Sequence, residues 1–380
     1  MLRTIRRWNG RPGVKGLPGG VDEDDVLATG SMTPEGSARP GAKLMPEAPP
    51  EPVTVVLPTR DEQGHLRDCL SSLLAQDYAG ELEILVVDGR SSDATRAIAR
   101  AAGIRVVDNP GITAAAAMNR GIAVAGADII VRADAHALYD RDYVRRCVDL
   151  LATNEYAVVG GPMRAVGVTR FGRAVAAVTS SPVGVGPGRF HYATERQDVD
   201  TVYLGAFRRE VVEAAGGYDE TSLQWAAEDH ELNLRIRARG GRIVVDPAIR
   251  SWYFPRETPR ALAHQYFNYG RGKVSTFVKH HTLPHWRPLV PAALVGGIAV
   301  GVAVGVATGR PTVALVPVLA YGLGATVAGA RIATDPGVAP HRAIGALTIC
   351  HWAYGAGIWA GIGRALTGRG FDARPRSAKS

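Results

Sequence analysis

Between residues 53 and 131 the chain alternates short apolar runs with helical ones, and that order admits few architectures. Val53-Thr54-Val55-Val56-Leu57 reads as a strand, stopped by Pro58-Thr59-Arg60-Asp61-Glu62. His65 to Ala75 carries a helical period through Leu66, Cys69, Leu70, Leu73 and Leu74. Leu82 to Val87 is a second strand; Ser92 or Asp93 would cap a helix from Ala94 to Ala102. Arg105-Val106-Val107 is a third strand, and Ala114 to Ala125 a helix leading into Ile129-Ile130-Val131. Such alternation builds a parallel, doubly wound sheet, whose ligands gather beyond the carboxyl ends of the strands. Pro58-Thr59, Asp88 and Asp134 all fall at those ends.

The stretch Ala127 to Tyr143 carries the densest chemistry. Alternation along an extended segment puts Asp134 and His136 on one side. A carboxylate and an imidazole so placed can share a divalent cation, and Mn²⁺ accepts both donors. The competing reading is a strand-end Asp capping a turn beside a solvated His. Beyond it, Asp140 to Thr153 reads as a helix and Tyr156 to Gly161 as a strand. Residues 164 to 198 are Gly-rich and read as an irregular, mobile loop over a site. Tyr203 to Phe207 leads to a helix from Arg209 to Ala215. Gln224-Trp225-Ala226-Ala227-Glu228-Asp229 opens a helix running to Arg239, and Ile243 to Val245 is a short strand. Arg260 to Lys279 is amphipathic, suited either to a membrane surface or to a core.

The last part changes character. Leu289 to Ala307 and Thr312 to Ala330 carry no charge and are long enough to cross hydrocarbon; Ala343 to Ile362 is a weaker third segment. The alternative is a buried helical layer of a soluble fold. The basic residues after Gly363 favour a cytosolic tail. Three full spans from a cytosolic domain would put that tail outside, so the third segment is re-entrant or interfacial, or the rule fails here. The formal net charge of +8 suits acidic lipid or a phosphorylated substrate, and no nucleic-acid module is recognisable. Cys69, Cys147 and Cys350 fit no metal spacing and suggest a reducing compartment. Residues 1–51, Gly- and Pro-rich with basic Arg3, Arg6 and Arg7, read as a disordered tail without an apolar signal core.

Taken together, these residues resemble a known family. The run Val53 to Asp88, with Pro58-Thr59-Arg60-Asp61-Glu62 and Val86-Val87-Asp88-Gly89, is similar to the opening of inverting family 2 glycosyltransferases. Asp134-Ala135-His136 resembles their Asp-x-Asp element, and Glu228-Asp229 their acidic acceptor-side motif. The His, the segment Gln265 to Lys273 and the C-terminal apolar helices resemble succinoglycan-type exopolysaccharide glucosyltransferases. The resemblance implies a GT-A type α/β fold, a doubly wound mixed sheet followed by C-terminal transmembrane helices. The expected division is a tail (1–51), a GT-A domain (52–255), an amphipathic region (256–287), membrane helices within 288–366 (about 289–308, 312–331 and 343–363) and a basic tail (367–380).

It also implies roles. Asp134 would contact ribose or metal, and His136 would ligate Mn²⁺ or Mg²⁺. Asp88 would accept hydrogen bonds from the nucleotide base, or be a turn residue. Pro58, Thr59 and Glu62 would border the nucleotide. Asn119 would face the donor, or simply lie on a helix surface. Asp229 would take the acceptor proton, with Glu228 beside it and Trp225 stacking a sugar ring; plain helix capping is the alternative. Arg271 and Lys273 would hold a phosphate, or touch lipid. The expected activity is inverting transfer from a nucleotide-sugar, a UDP-hexose, to a lipid-linked or polysaccharide acceptor. The expected setting is the cell (inner or plasma) membrane, multi-pass, with the catalytic domain cytosolic. A polyprenyl-phosphate sugar transferase and a non-catalytic membrane scaffold are the alternatives. The Gln-x-x-Arg-Trp motif of processive synthases is absent from the chain, and no Gly-rich phosphate loop opens the first helix.

Overall fold

The computed structural model describes residues 50–186, 188–222, 226–281, 286–334 and 337–367. The strand–helix alternation appears in the expected order: β1 (Val53–Thr59), α1 (Leu66–Leu74), β2 (Leu82–Asp88), α2 (Thr95–Ala101), β3 (Arg105–Asp108), α3 (Ala114–Val124) and β4 (Ile129–Arg132). The middles of β1, β2 and β4 are largely apolar because both faces of these strands are covered. Val55, Leu57, Ile84, Val86, Ile129 and Val131 enter one core with Leu66, Leu70 and Leu73 of α1. Val56, Leu85, Val87 and Ile130 enter the other with Met118 and Ile122 of α3. Burying each such Leu or Ile contributes roughly 1.5–3 kcal/mol.

Next come β5 (Ala137–Tyr139), α4 (Tyr143–Leu151), β6 (Val158–Gly160), β7 (Met163–Ala165), α5 (Arg170–Thr179), α6 (Pro182–Val185), β8 (Gln197–Asp198) and β9 (Ala206–Arg208). The chain continues through α7 (Arg209–Ala214), α8 (Glu228–Ala238), β10 (Ile243–Val245) and β11 (Ser251–Tyr253). Four longer helices follow: α9 (Pro259–His280), α10 (Trp286–Thr308), α11 (Pro311–Ile332) and α12 (Pro340–Leu366). The large sheet runs β3-β2-β1-β4-β9-β6-β10-β8. It is mixed: β1, β2, β3 and β4 pair in parallel, whereas β9 runs antiparallel to β4 and β6. A small sheet, β5-β11-β7, stands apart.

Residues 164–198 correct the sequence reading. They hold β7, α5, α6, a short 3₁₀ turn and β8 instead of an irregular loop. Thr169 caps α5 by accepting the Gly172 N–H at 2.9 Å, and Glu257 accepts the N–H groups of Val168 and Thr169 at 2.8 and 2.7 Å. The glycines hid an amphipathic period: Ala174, Val175 and Val178 pack with Leu262 and Tyr266 of α9 and with Ala343, Leu347 and Cys350 of α12. α9 is therefore a core-packing helix.

Among the described residues two helices are long and apolar enough to cross a membrane, Pro288–Thr308 and Leu315–Ile332. The third expected segment, within α12, is not one of them. Its small residues are turned inward, and a Cβ on Gly357 would collide with the Phe267 carbonyl of α9, one on Gly270 of α9 with the Tyr354 carbonyl. Small residues let two helix backbones approach this closely. Most of the two expected terminal tails lies outside the described residues; Glu51 is held by Arg208 at 2.7 and 2.8 Å.

Candidate active site at the carboxyl ends of the strands

Register fixes where the candidate residues stand. Thr59 of β1 lies opposite Asp88 of β2, and Val56 of β1 opposite Arg132 of β4. The ends of β1, β2 and β4 are thus side by side, with Asp134 and His136 just past β4. The loops after β1 and β2 are fastened together: Asp61 Oδ1 accepts the Ser92 N–H at 2.7 Å, and Asp93 Oδ2 accepts the Gln63 N–H at 3.0 Å. Asp61 sits at φ 55°, a conformation that costs a non-glycine residue energy and marks a constrained turn. Thr59 is buried, and its hydroxyl has no hydrogen-bond partner among the described residues. A buried hydroxyl left over at a strand end is one a ligand can use.

Asp134 and His136 stay partly open, with side chains 17% and 19% exposed. The peptide of Asp134 is gripped by Tyr139: the hydroxyl accepts its N–H at 2.7 Å and donates to its carbonyl at 3.2 Å. His136 Nδ1 lies 3.2 Å from Glu62 Oε1, and its ring meets Tyr253 edge-on at 5.3 Å. A carboxylate on one ring nitrogen orients a histidine and leaves the other for a metal. His136 is thus oriented as a cation ligand would be, with Glu62 holding its ring; Ala135 and His136 form a turn, closed by the Ala137 N–H on the Asp134 carbonyl at 3.2 Å, where the sequence suggested an extended segment. No cluster of three or more metal-binding side chains occurs among the described residues. A cation held by Asp134 and His136 would complete its shell with substrate phosphate oxygens and water, as Mg²⁺ commonly does.

The acidic motif opens α8, where the helix dipole favours negative charge. Ala227, just before it, is left-handed at φ 74°. Ala226 lies under α9 so tightly that a Cβ on Gly272 would come within 2.5 Å of its carbonyl oxygen. Glu228 is buried and its Oε1 accepts from Arg132 Nη2 at 3.0 Å. Asp229 accepts the His230 N–H at 2.7 Å. Burial, then the neighbouring Glu228, push the Asp229 carboxyl up to about 6, with Arg132 pulling the other way.

Arg132 is the residue that sequence reasoning missed. Its side chain is 9% exposed, and its guanidinium lies 3.0 Å from Glu228, 3.8 Å from Asp134 and 3.9 Å from Asp229. The signal was available: an arginine ends an otherwise apolar strand, two residues before Asp134. His230 was also missed. It lies 2.8 Å from Lys273 Nζ, and burial with that ammonium drives it down to about 3.

Four of the expected site residues have protein partners that the sequence did not show. Asp88 is fully buried, with Oδ1 taken by Arg96 at 3.0 Å and by the Ser91 N–H at 3.2 Å, and Oδ2 by the Ser91 hydroxyl at 2.5 Å. It fastens the turn after β2; a base could reach it only by displacing these partners. Asn119 is held by protein partners. Its Nδ2 donates to the Tyr218 carbonyl and to Glu220 at 2.8 and 2.7 Å, and its Oδ1 accepts the Tyr218 N–H at 2.8 Å, so it clamps the turn before α8. Arg271 and Lys273, two positions apart on α9, point about 200° apart. Lys273 reaches His230 and is lowered to about 8 by burial, while Arg271 lies over Phe267 and feels the charge of Arg364. The fourth is Glu62, treated above. Pro58 falls where expected, at the end of β1, and Trp225 lies outside the described residues.

Comparison with known proteins gives a consistent picture. The family model described as Glycosyl transferase family 2 matches residues 54–215, from β1 through α7, and so stops short of Glu228. The succinoglycan biosynthesis protein ExoA of Rhizobium meliloti (strain 1021) is 33% identical over 313 residues, 80% of this chain and 93% of its own length. The dolichyl N-acetyl-alpha-D-glucosaminyl phosphate 3-beta-D-2,3-diacetamido-2,3-dideoxy-beta-D-glucuronosyltransferase of Methanococcus voltae is 25% identical over 234 residues, 58% of this chain and 72% of its own. Among solved structures, the mannosyltransferase PcManGT from Pyrobaculum calidifontis, in complex with GDP-Man and Mn²⁺, covers 83% of this chain and 87% of its own at a TM-score of 0.51 and 21% identity. That likeness is one of fold, and it bears out the GT-A type α/β architecture expected from the sequence.

Proposed function

The chain belongs to glycosyltransferase family 2, and from that membership we propose that it moves a sugar, with inversion, from a nucleotide-sugar to a lipid-linked or polysaccharide acceptor during cell-surface polysaccharide synthesis. The donor we propose is a UDP-hexose. The observation that carries the reading is the meeting of Asp134, from the donor-side strand, with Glu228 and Asp229 around one arginine. The names of the relatives support the proposed acceptor class: one concerns succinoglycan, the other a dolichyl-linked sugar phosphate.

In this reading Asp134 and His136 hold Mn²⁺ or Mg²⁺, Glu62 fixes the imidazole, and the Thr59 hydroxyl and Pro58 border the donor. The cation, when bound, neutralises charge on the departing diphosphate. Asp229 accepts the proton of the acceptor hydroxyl as that oxygen attacks the anomeric carbon. The bond from that carbon to the diphosphate oxygen breaks, and the electron pair leaves with the nucleoside diphosphate. A carboxyl near 6 is ionised at neutral pH yet basic enough to take a proton, which suits a general base. Lys273 offers a cation for an acceptor phosphate, and Trp225 a face for a sugar ring. Two helices, α10 and α11, are long and apolar enough to cross a membrane, which supports a membrane-bound protein; the multi-pass topology with a cytosolic catalytic domain is part of the proposal.

The test is a screen of nucleotide-sugars with the protein in membranes, following nucleotide release and transfer with and without Mn²⁺. Asp229→Asn should keep donor binding and lose transfer. If no donor is turned over, or if Asp229→Asn transfers as well as the wild type, the reading is wrong.

A further inference from the structure

We propose that Arg132 is a positioning residue for the transfer step: its guanidinium holds the acceptor-side carboxylates of Glu228 and Asp229 at a fixed station against the donor-side strand. The proposal rests on the reading of Asp229 as the acceptor base and adds the element that sets its place.

The main chain at Arg132 cannot drift. It is the last residue of β4, in register with Val56 of β1, and its N–H is bonded to the Gly205 carbonyl at 3.0 Å. From that anchor the side chain reaches the first turn of α8. The Glu228 contact is a hydrogen bond, at 3.0 Å, and the Tyr218 hydroxyl lies against the same guanidinium; Nε and Nη1 are buried and make no hydrogen bond among the described residues. A purely structural buried ion pair would be expected to bond every N–H it hides. Here two donors are held in reserve, each facing a carboxylate that carries chemistry: Nε towards Asp134 at 3.8 Å, Nη1 towards Asp229 at 3.9 Å. Closing either gap by about 1 Å would make a charge-assisted bond.

The opposite side of the motif is clamped as well. Ala227 is held left-handed, with Ala226 against Gly272 of α9. The acidic pair is thus fixed from below by α9 and from the sheet by Arg132. A planar fork can address two carboxylates at once from one rigid plane, whereas an ammonium is a single point charge on a flexible stem. The arginine is therefore specific: a lysine preserves the charge and loses the geometry.

The experiment uses the full chain in detergent or nanodiscs, with Mn²⁺ plus UDP or GDP as the binding probe. In Arg132→Lys, nucleotide affinity should stay within about threefold, and transfer should fall about 100-fold, the scale expected when a reacting group is misplaced by about 1 Å. Donor hydrolysis should fall less than transfer, because water needs less exact placement than a sugar hydroxyl. Should Arg132→Lys fail to fold, the double variant Arg132→Met with Glu228→Gln removes both buried charges together; it should melt near the wild type and still transfer poorly. Arg132→Lys with transfer within threefold of wild type overturns the proposal, as does nucleotide affinity lost in step with transfer, which would place the arginine on the donor. Transfer retained in Asp229→Asn instead overturns the underlying reading and leaves the Arg132 result to be read by itself.

Discussion

Replacing Asp229 by Asn should make the folded protein more stable at neutral pH even as it removes the proposed base. The structure presses the Asp229 carboxyl into a buried place beside Glu228, and its ionisation moves from an ordinary 3.8 up to about 6. A carboxyl whose folded value lies above its unfolded value favours the fold when protonated. The resulting penalty is absent below about 3.8, develops between 3.8 and 6, and is fully present above 6. A shift of that size corresponds to about 3 kcal/mol. The Asp229 side chain is 30% exposed, so solvent screening trims the figure to about 2 kcal/mol. Asn removes the charge at nearly constant shape. The assay is thermal unfolding of wild type and Asp229→Asn in one detergent at pH 4, 5, 6, 7 and 8, without nucleotide or metal. The two melting temperatures should coincide near pH 4 and separate by several degrees above pH 6, with the variant higher. A variant that melts below the wild type at pH 8, or a difference that does not change with pH, would refute the reasoning, because the carboxylate would then be a stabilising partner.

The same displaced carboxyl gives the transfer rate an acid limb near pH 6, and Glu228→Gln should move that limb lower by removing the like charge; a limb that stays in place, measured as kcat against pH, would separate the two residues. Glu62→Gln should raise the Mn²⁺ concentration needed for half-maximal nucleotide binding about 10- to 100-fold, the usual effect of losing a ligand's supporting carboxylate; calorimetric titration of the cation reads it. Asn119→Ala should cost about 1–3 kcal/mol of stability through the unfastened Tyr218 turn and leave nucleotide affinity unchanged. A loss of nucleotide affinity in that variant would return Asn119 to the donor site.

Much of the architecture was legible because periodicity is local. The strands of the first half announced themselves through short, mostly apolar runs, and their coverage on both faces follows from that pattern. α5 was missed because the glycines around it masked a buried face that needs Glu257, 88 residues away, to start it. Asp134, His136 and the Glu228-Asp229 pair were found as residue types at strand and helix ends. Their partners were not, because they come from distant sequence: Glu62 on His136 and Arg132 on the acidic pair. Asn119 shows the limit most plainly. A polar residue on a helix bordering a cleft suits a ligand or a clamp equally, and the Tyr218 peptide that decides between them lies 99 positions on.

The glycine seam between α9 and α12 has a mechanical consequence. Backbones that meet with no intervening side chains cannot slide past one another without collision, so the two helices move as one beam. α9 spans 22 residues, about 33 Å as a helix, and it bears on Ala226 midway along its length. Such a beam works as a strut of constant length between the apolar helices and the acidic turn, so the distance at which an acceptor must present its hydroxyl is set by α9 rather than by the loops around it.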